Sequence, residues 1–216
     1  MHVIYGGTFD PIHHGHLRLA VELCDRLEVA RVSLVPCHIP PHRGDTGASA
    51  SQRLKLMELA VRGEPRLHID DRELRRAGAS YTADTLRQLR EELGPDHPLV
   101  MVVGTDAFAG FDRWREWERI PELGHIVVVR RPGPALDPGS APAMLLASRG
   151  VEEAASLRHS PAGCVLELDP PLLDISATGI RDRIADGRSP RYLIPDSVWD
   201  EIRRQGLYGA CPDGNF

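Results

Sequence analysis

An α/β fold is expected for this chain, built as a doubly wound parallel sheet with helices on both faces. Three observations lead there. Short β-branched runs alternate with helical patterns along the sequence. Several of those runs are apolar at consecutive positions, as strands buried on both faces require. The order is β-α-β-α throughout.

The strands read as residues 3–5, Val32–Pro36, 99–103, 126–129 and Val165–Leu168, and the helices between them as 16–27, 52–61, Thr82–Leu93 and 116–123. Residues 37–51 contain Ile39-Pro40-Pro41-His42-Arg43-Gly44 and cannot be helical, because proline removes donors and fixes φ. Residues 131–140 hold three prolines and two glycines and read as a loop. The chain closes on an amphipathic helix at 197–205. The expectation is one Rossmann-like domain over residues 1–208 with a C-terminal helical portion, followed by a tail at 209–216.

Composition bounds the function. The 216 residues are 42% hydrophobic and 26% charged, ordinary for a globular protein with a sizeable core. A net charge of -5 without a basic block speaks against a nucleic-acid partner. Cys24, Cys37, Cys164 and Cys211 form no CxxC pair and read as free thiols. No apolar run approaches the roughly 20 residues of a membrane span, and residues 1–5 lead straight into a strand pattern, so a cytoplasmic protein is expected.

The strongest chemical signal follows the first strand: Gly6-Gly7-Thr8-Phe9-Asp10-Pro11-Ile12-His13-His14-Gly15-His16. In an open α/β sheet, ligands bind at the carboxyl ends of the strands. Glycines there let the backbone approach a ligand, and the helix that follows offers free N–H groups to an anion. His13 and His16 are three apart and share one face of a helical start. A metal site is the alternative for two histidines at this spacing, but no carboxylate or cysteine accompanies them nearby. A pair of surface histidines is the plainer one. Neither GxGxxG nor GxxxxGK[ST] occurs, so hydride-transfer and kinase readings lack their motifs. The second signal is Asp174-Ile175-Ser176-Ala177-Thr178-Gly179-Ile180-Arg181. Ser176 or Thr178 suits a helix N-cap, and the planar fork of Arg181 near the first turn suits a phosphate. Read alone it is equally an ordinary capped helix with a solvated arginine.

Together these segments resemble the nucleotidyltransferase superfamily with HxGH and ISxT motifs. Pro40-Pro41-His42-Arg43, Ser80-Tyr81-Thr82-Ala83, Gly104-Thr105-Asp106, Trp114 and Arg130-Arg131-Pro132-Gly133 narrow the resemblance to bacterial nicotinate-nucleotide adenylyltransferases, over about residues 3–208. The resemblance implies adenylyl transfer from ATP to nicotinate mononucleotide, with Mg²⁺ bridging the ATP phosphates and a monomer or homodimer as the enzyme. It implies catalytic roles for His16, His13 and Arg181, and ATP contacts by Gly7, Thr8, Phe9, Gly104, Asp106, Ile175, Ser176 and Thr178. It implies mononucleotide contacts by His42, Arg43, Ser80, Tyr81, Thr82, Trp114 and Arg131. It implies no protein-held metal site. Arg115 departs from the aromatic or small polar residue that relatives carry after Trp114, which bears on how a carboxylate is recognised. Trp114 reads either as a stacking platform or as a packed hydrophobe, Asp106 also as a helix cap, and residues 40–43 also as a stiff loop.

Rivals share some of these features. A sister enzyme acting on phosphopantetheine or a polyol phosphate has the HxGH box but no use for Trp114 or Ser80. A non-catalytic nucleotide-binding regulator leaves both histidines and Arg181 unexplained. An RNA-binding module conflicts with the acidic balance.

Overall fold

Strands rich in valine and isoleucine bury both faces, and here they form one parallel sheet with helices on each side. The computed structural model describes residues 1–39, 46–76, 78–133 and 135–211. The strands are β1 (His2–Gly7), β2 (Val32–Pro36), β3 (Leu67–Ile69), β4 (Leu99–Gly104), β5 (His125–Val129), β6 (Gly150–Val151) and β7 (Val165–Leu168). The helices are α1 (His14–Arg26), α2 (Ala50–Ala60), α3 (Arg72–Arg75), α4 (Thr82–Leu93), α5 (Thr105–Phe108), α6 (Ile120–Leu123), α7 (Ala141–Arg149), α8 (Ala177–Ala185) and α9 (Asp196–Gln205).

The sheet order is β3-β2-β1-β4-β5-β7-β6, every pair parallel. Alternate strand residues feed two cores. Val3, Tyr5, Leu34, Val100, Val102 and Val127 pack with α1, α2, α8 and α9 through Leu23, Met57, Ile184 and Trp199. Ile4, Val35, Met101, Val103, Ile126 and Val128 pack on the other face with Leu86, Leu89, Phe108, Phe111 and Ile120. The doubly wound expectation holds. The chain leaves β1 toward β2 and β3, and leaves β4 the opposite way, so the crevice outside the carboxyl ends of β1 and β4 is the topological switch point.

Local chemistry explains where the elements begin and stop. α2 starts behind a capping box, with Ser49 Oγ accepting from Gln52 N–H and the Gln52 side chain accepting from Ser49 N–H. The helix expected over 116–123 is instead a 3₁₀ turn, Trp117–Arg119, running into the single turn of α6. Glu116 takes a left-handed φ of 54°, and Pro121 and Gly124 bound what remains. The edge strands β3 and β6 have three and two residues, too short for an alternating pattern to register. No helix among the described residues is long and apolar enough to cross a membrane.

Candidate active site

β1 delivers the chain to the switch point, and the loop after it is shaped by aromatic packing. Phe9 adopts a left-handed φ of 50°, and its buried ring meets Tyr5 and His16 edge-on, at centroid distances of 5.7 and 5.0 Å. That ring lies so close to Gly7 that a Cβ there would meet it at 3.0 Å. His13 caps α1 in extended conformation, its carbonyl accepting from the N–H groups of His16 and Leu17. Its ring stacks on that of His16 with centroids 3.6 Å apart and planes 22° apart. The glycine of the box follows from this stack, since a Cβ on Gly15 would sit 3.0 Å from the His13 ring.

The stack also separates the two histidines electrostatically. Burial, with the nearby charges of Arg131 and His14 adding to it, pushes His13 down to about 4, so that ring is neutral at neutral pH. His13 is buried, and its Nδ1 has no hydrogen-bond partner among the described residues. His16 lines the cavity and His13 supports it from behind.

Across the crevice α8 begins at Ser176, whose Oγ accepts from Gly179 N–H at 3.1 Å. Arg181 reaches back along the first turn, donating Nη2 to Thr178 Oγ1 at 3.2 Å and Nη1 to the Asp10 carbonyl at 2.7 Å. The Asp10 carboxylate accepts from Gly47 N–H, Ala48 N–H and the Tyr208 hydroxyl at 2.8, 3.2 and 2.7 Å, and pairs with Arg181 Nη1 at 3.7 Å. Burial and the charge of Asp10 push the Tyr208 phenol up, so it stays a donor. The C-terminal segment therefore fastens the loop after β1, and Arg181 with it.

The other end of the crevice is aromatic. Ser80 Oγ accepts from His38 N–H at 2.9 Å and leads into Tyr81, the cap residue of α4, which makes no side-chain capping bond. The first turn of a 12-residue helix thus presents backbone donors toward the cavity. Trp114 packs one side on Phe111, with centroids 5.3 Å apart, and lines the cavity. Arg115 lays its guanidinium over the Tyr81 ring at 4.7 Å. Beneath it the Thr85 hydroxyl donates to the buried Glu73 carboxylate at 2.6 Å.

At the end of β4, Arg131 lies over Gly104 and pairs with Asp106 at 3.4 Å. Thr105 joins the two strand ends, donating to the Val129 carbonyl and accepting from Arg131 N–H. The whole crevice encloses about 800 Å³. Among the described residues, no group of three or more His, Cys, Asp or Glu side chains is placed to hold a metal ion.

Comparison with known proteins fixes the family. Residues 4–183 match the cytidylyltransferase-like family. A probable nicotinate-nucleotide adenylyltransferase of Marinobacter nauticus is 70% identical over 212 residues, covering 98% of each chain. The chain belongs to the nicotinate-nucleotide adenylyltransferase family. A second relative of that name, from Cellvibrio japonicus, is 48% identical and covers 95% of this chain and 97% of its own. The solved structure of Plasmodium falciparum nicotinic acid mononucleotide adenylyltransferase complexed with NaAD superposes with a TM-score of 0.73 over 98% of both chains. At 17% identity it speaks to the fold.

As a member of this family the chain is a nucleotidyltransferase, and the structure distributes its expected site residues as follows. Gly7, Thr8, Phe9, His16, Ser80, Tyr81, Thr82, Gly104, Asp106, Trp114, Arg131, Thr178 and Arg181 all line one cavity. Ser176 is occupied as the α8 cap, and Ile175 packs partly buried against the core. His42 and Arg43 lie outside the described residues. Sequence reasoning did not single out Arg53, Tyr208, Glu73 or Thr85. Asp10 stood out only as part of the segment that follows the first strand. The signal available for Arg53 was a lone arginine one turn into a helix whose neighbours Leu56 and Met57 are core residues.

Proposed function

We propose that this chain joins nicotinate mononucleotide to the α-phosphorus of ATP, releasing nicotinate adenine dinucleotide and pyrophosphate in NAD biosynthesis. One observation carries the reading: a single cavity lined by His16 and Arg181 and by the aromatic rings of Tyr81 and Trp114. The first pair suits a polyphosphate, since Arg181 is held with its fork partly exposed and His16 is buttressed by a neutral ring. The second suits a flat pyridine ring, which would stack on Trp114.

The nucleophile is a phosphate monoester whose second pKa is near 6, so it is already largely ionised at neutral pH and needs no general base. Catalysis then rests on alignment of the two substrates and on positive charge where oxygens crowd at the transition state. Mg²⁺ enters as part of the Mg-ATP substrate. Asp10 is engaged by three donors and by Arg181, and Asp106 is paired with Arg131, so phosphate oxygens and water would complete the ion's shell.

Transfer is direct on this reading, because the acceptor phosphate is itself an ionised nucleophile and needs no covalent enzyme intermediate. Dinucleotide and pyrophosphate should appear in equal amounts from ATP and nicotinate mononucleotide, and ATP chiral at the α-phosphorus should react with inversion. Net retention, or an isolable adenylyl-enzyme, would contradict direct transfer.

A further inference from the structure

Arg53 is fully buried, and among the described residues no carboxylate lies within ion-pair distance of it. Its guanidinium donates to backbone carbonyls instead. Nη1 reaches Thr8 at 2.7 Å, and Nη2 reaches Cys37 at 2.7 Å and His38 at 3.0 Å. Nε has no hydrogen-bond partner among the described residues.

The three carbonyls belong to two different loops. Thr8 follows β1 and lines the cavity beside the HxGH helix, while Cys37 and His38 follow β2. His38 N–H in turn donates to Ser80 Oγ at 2.9 Å, and Ser80 N–H donates to the Ile39 carbonyl at 3.2 Å. Ser80 immediately precedes Tyr81 and Thr82 at the aromatic end. A run of hydrogen bonds therefore crosses beneath the cavity from its phosphate end to its pyridine end, with Arg53 as the crossing point.

The sequence places the side chain there by ordinary means. α2 returns from the carboxyl edge of the sheet, and its capping box at Ser49 and Gln52 fixes where it starts. Side chains lean toward a helix's N-terminus, so a residue one turn in leans back to the strand ends. A burial site of this size costs less to fill with an apolar residue than with a cation. What an apolar residue cannot do is donate to carbonyls on two separate loops, and a lysine has one nitrogen where arginine has a planar fork.

We propose that Arg53 is a positioning residue, which fixes the ATP-side loop at Thr8 to the mononucleotide-side loops at His38 and Ser80 so that the two substrates meet in line. The inference rests on the two-ended reading of the cavity given above. Loss of the fork leaves each half-site able to bind its own substrate but misaligned with the other, and misplacement by about 1 Å costs on the order of 100-fold in rate.

The test uses Arg53→Gln and Arg53→Lys. Dissociation constants are measured by calorimetry for a non-hydrolysable ATP analogue alone and for nicotinate mononucleotide alone, kcat by pyrophosphate release, and folding by thermal melting. The Gln variant should keep both dissociation constants within about threefold and lose kcat by about 100-fold. The Lys variant, which keeps the charge but not the planar fork, should recover only part of that loss. A folded variant with kcat within about threefold of wild type overturns the proposal. So does a loss carried by one dissociation constant, or full recovery by lysine. A wild-type chain that makes no dinucleotide from nicotinate mononucleotide would count against the functional reading, and Arg53 is then judged with the acceptor the wild type does use.

Discussion

His13 and His16 share one motif and do different things. Spacing alone puts both rings on one face of a helical start, and in the folded chain they stack, with Gly15 left bare to make room. Burial holds His13 neutral, and of the two rings it is His16 that lines the cavity where the proposed reading puts the phosphates. His16→Ala should therefore lower kcat by about two to three decades, roughly 3–4 kcal/mol of transition-state stabilisation, and change the KM for ATP little. Steady-state kinetics at saturating nicotinate mononucleotide decide it, and a variant that keeps most of its kcat removes His16 from the chemistry. The division of labour between the two rings was not legible in the sequence. It depends on which ring is buried and on the charge of Arg131, a residue far away in the chain.

Elements were legible where their periodicity was long. The expected helix over Thr82–Leu93 is α4 to the residue, and β2 and β7 also match. Residues 116–123 failed as one helix because Glu116 and Pro121 break it, a tertiary choice that keeps Trp114 and Arg115 at the cavity rim. β5 shows the same dependence on context. Its first residue, His125, is fully buried, with Nδ1 accepting from Cys164 N–H at 3.0 Å and Nε2 against the Ser160 carbonyl at 2.9 Å. Burial pushes this ring below its ordinary value of 6.5; the charge of Arg90 adds to that, and the Ser160 bond opposes it. The native chain then binds fewer protons than the unfolded one, so this contribution is full above the unfolded value and fades as pH falls toward the folded one. Urea midpoints should drop between about pH 7.5 and about pH 5.5, and His125→Asn, which does not titrate, should show a shallower drop. His2, His13 and His97 are also lowered and account for the slope that remains. An unchanged slope in the variant would remove His125 from that account.

At the scale of the whole molecule, strand order does most of the functional work. The reversal between β1 and β4 opens one crevice; segments after β1 and β7 bring His16 and Arg181 to it, and segments after β3 and β4 bring Tyr81 and Trp114. Most of the residues expected there do meet, since motifs at strand ends converge once the sheet is parallel. Arg53, Tyr208 and the Asp10 carboxylate escaped notice because their roles are hydrogen bonds between distant segments, which no local pattern announces. The two-ended cavity makes one demand on the acceptor. The acid and amide mononucleotides differ at one group, which on the proposed reading would meet the first turn of α4 and the Arg115 guanidinium lying on Tyr81. Those groups are donors, and a carboxylate accepts on both oxygens, whereas a carboxamide turns an NH₂ toward them and leaves bonds unmade. Such unpaired groups cost on the order of 1–3 kcal/mol, or roughly ten- to several-hundred-fold in selectivity. The direct measurement is kcat/KM for nicotinate mononucleotide and for nicotinamide mononucleotide at saturating Mg-ATP. A preference for the acid of at least about tenfold is the predicted result, and equal values or a preference for the amide would contradict it.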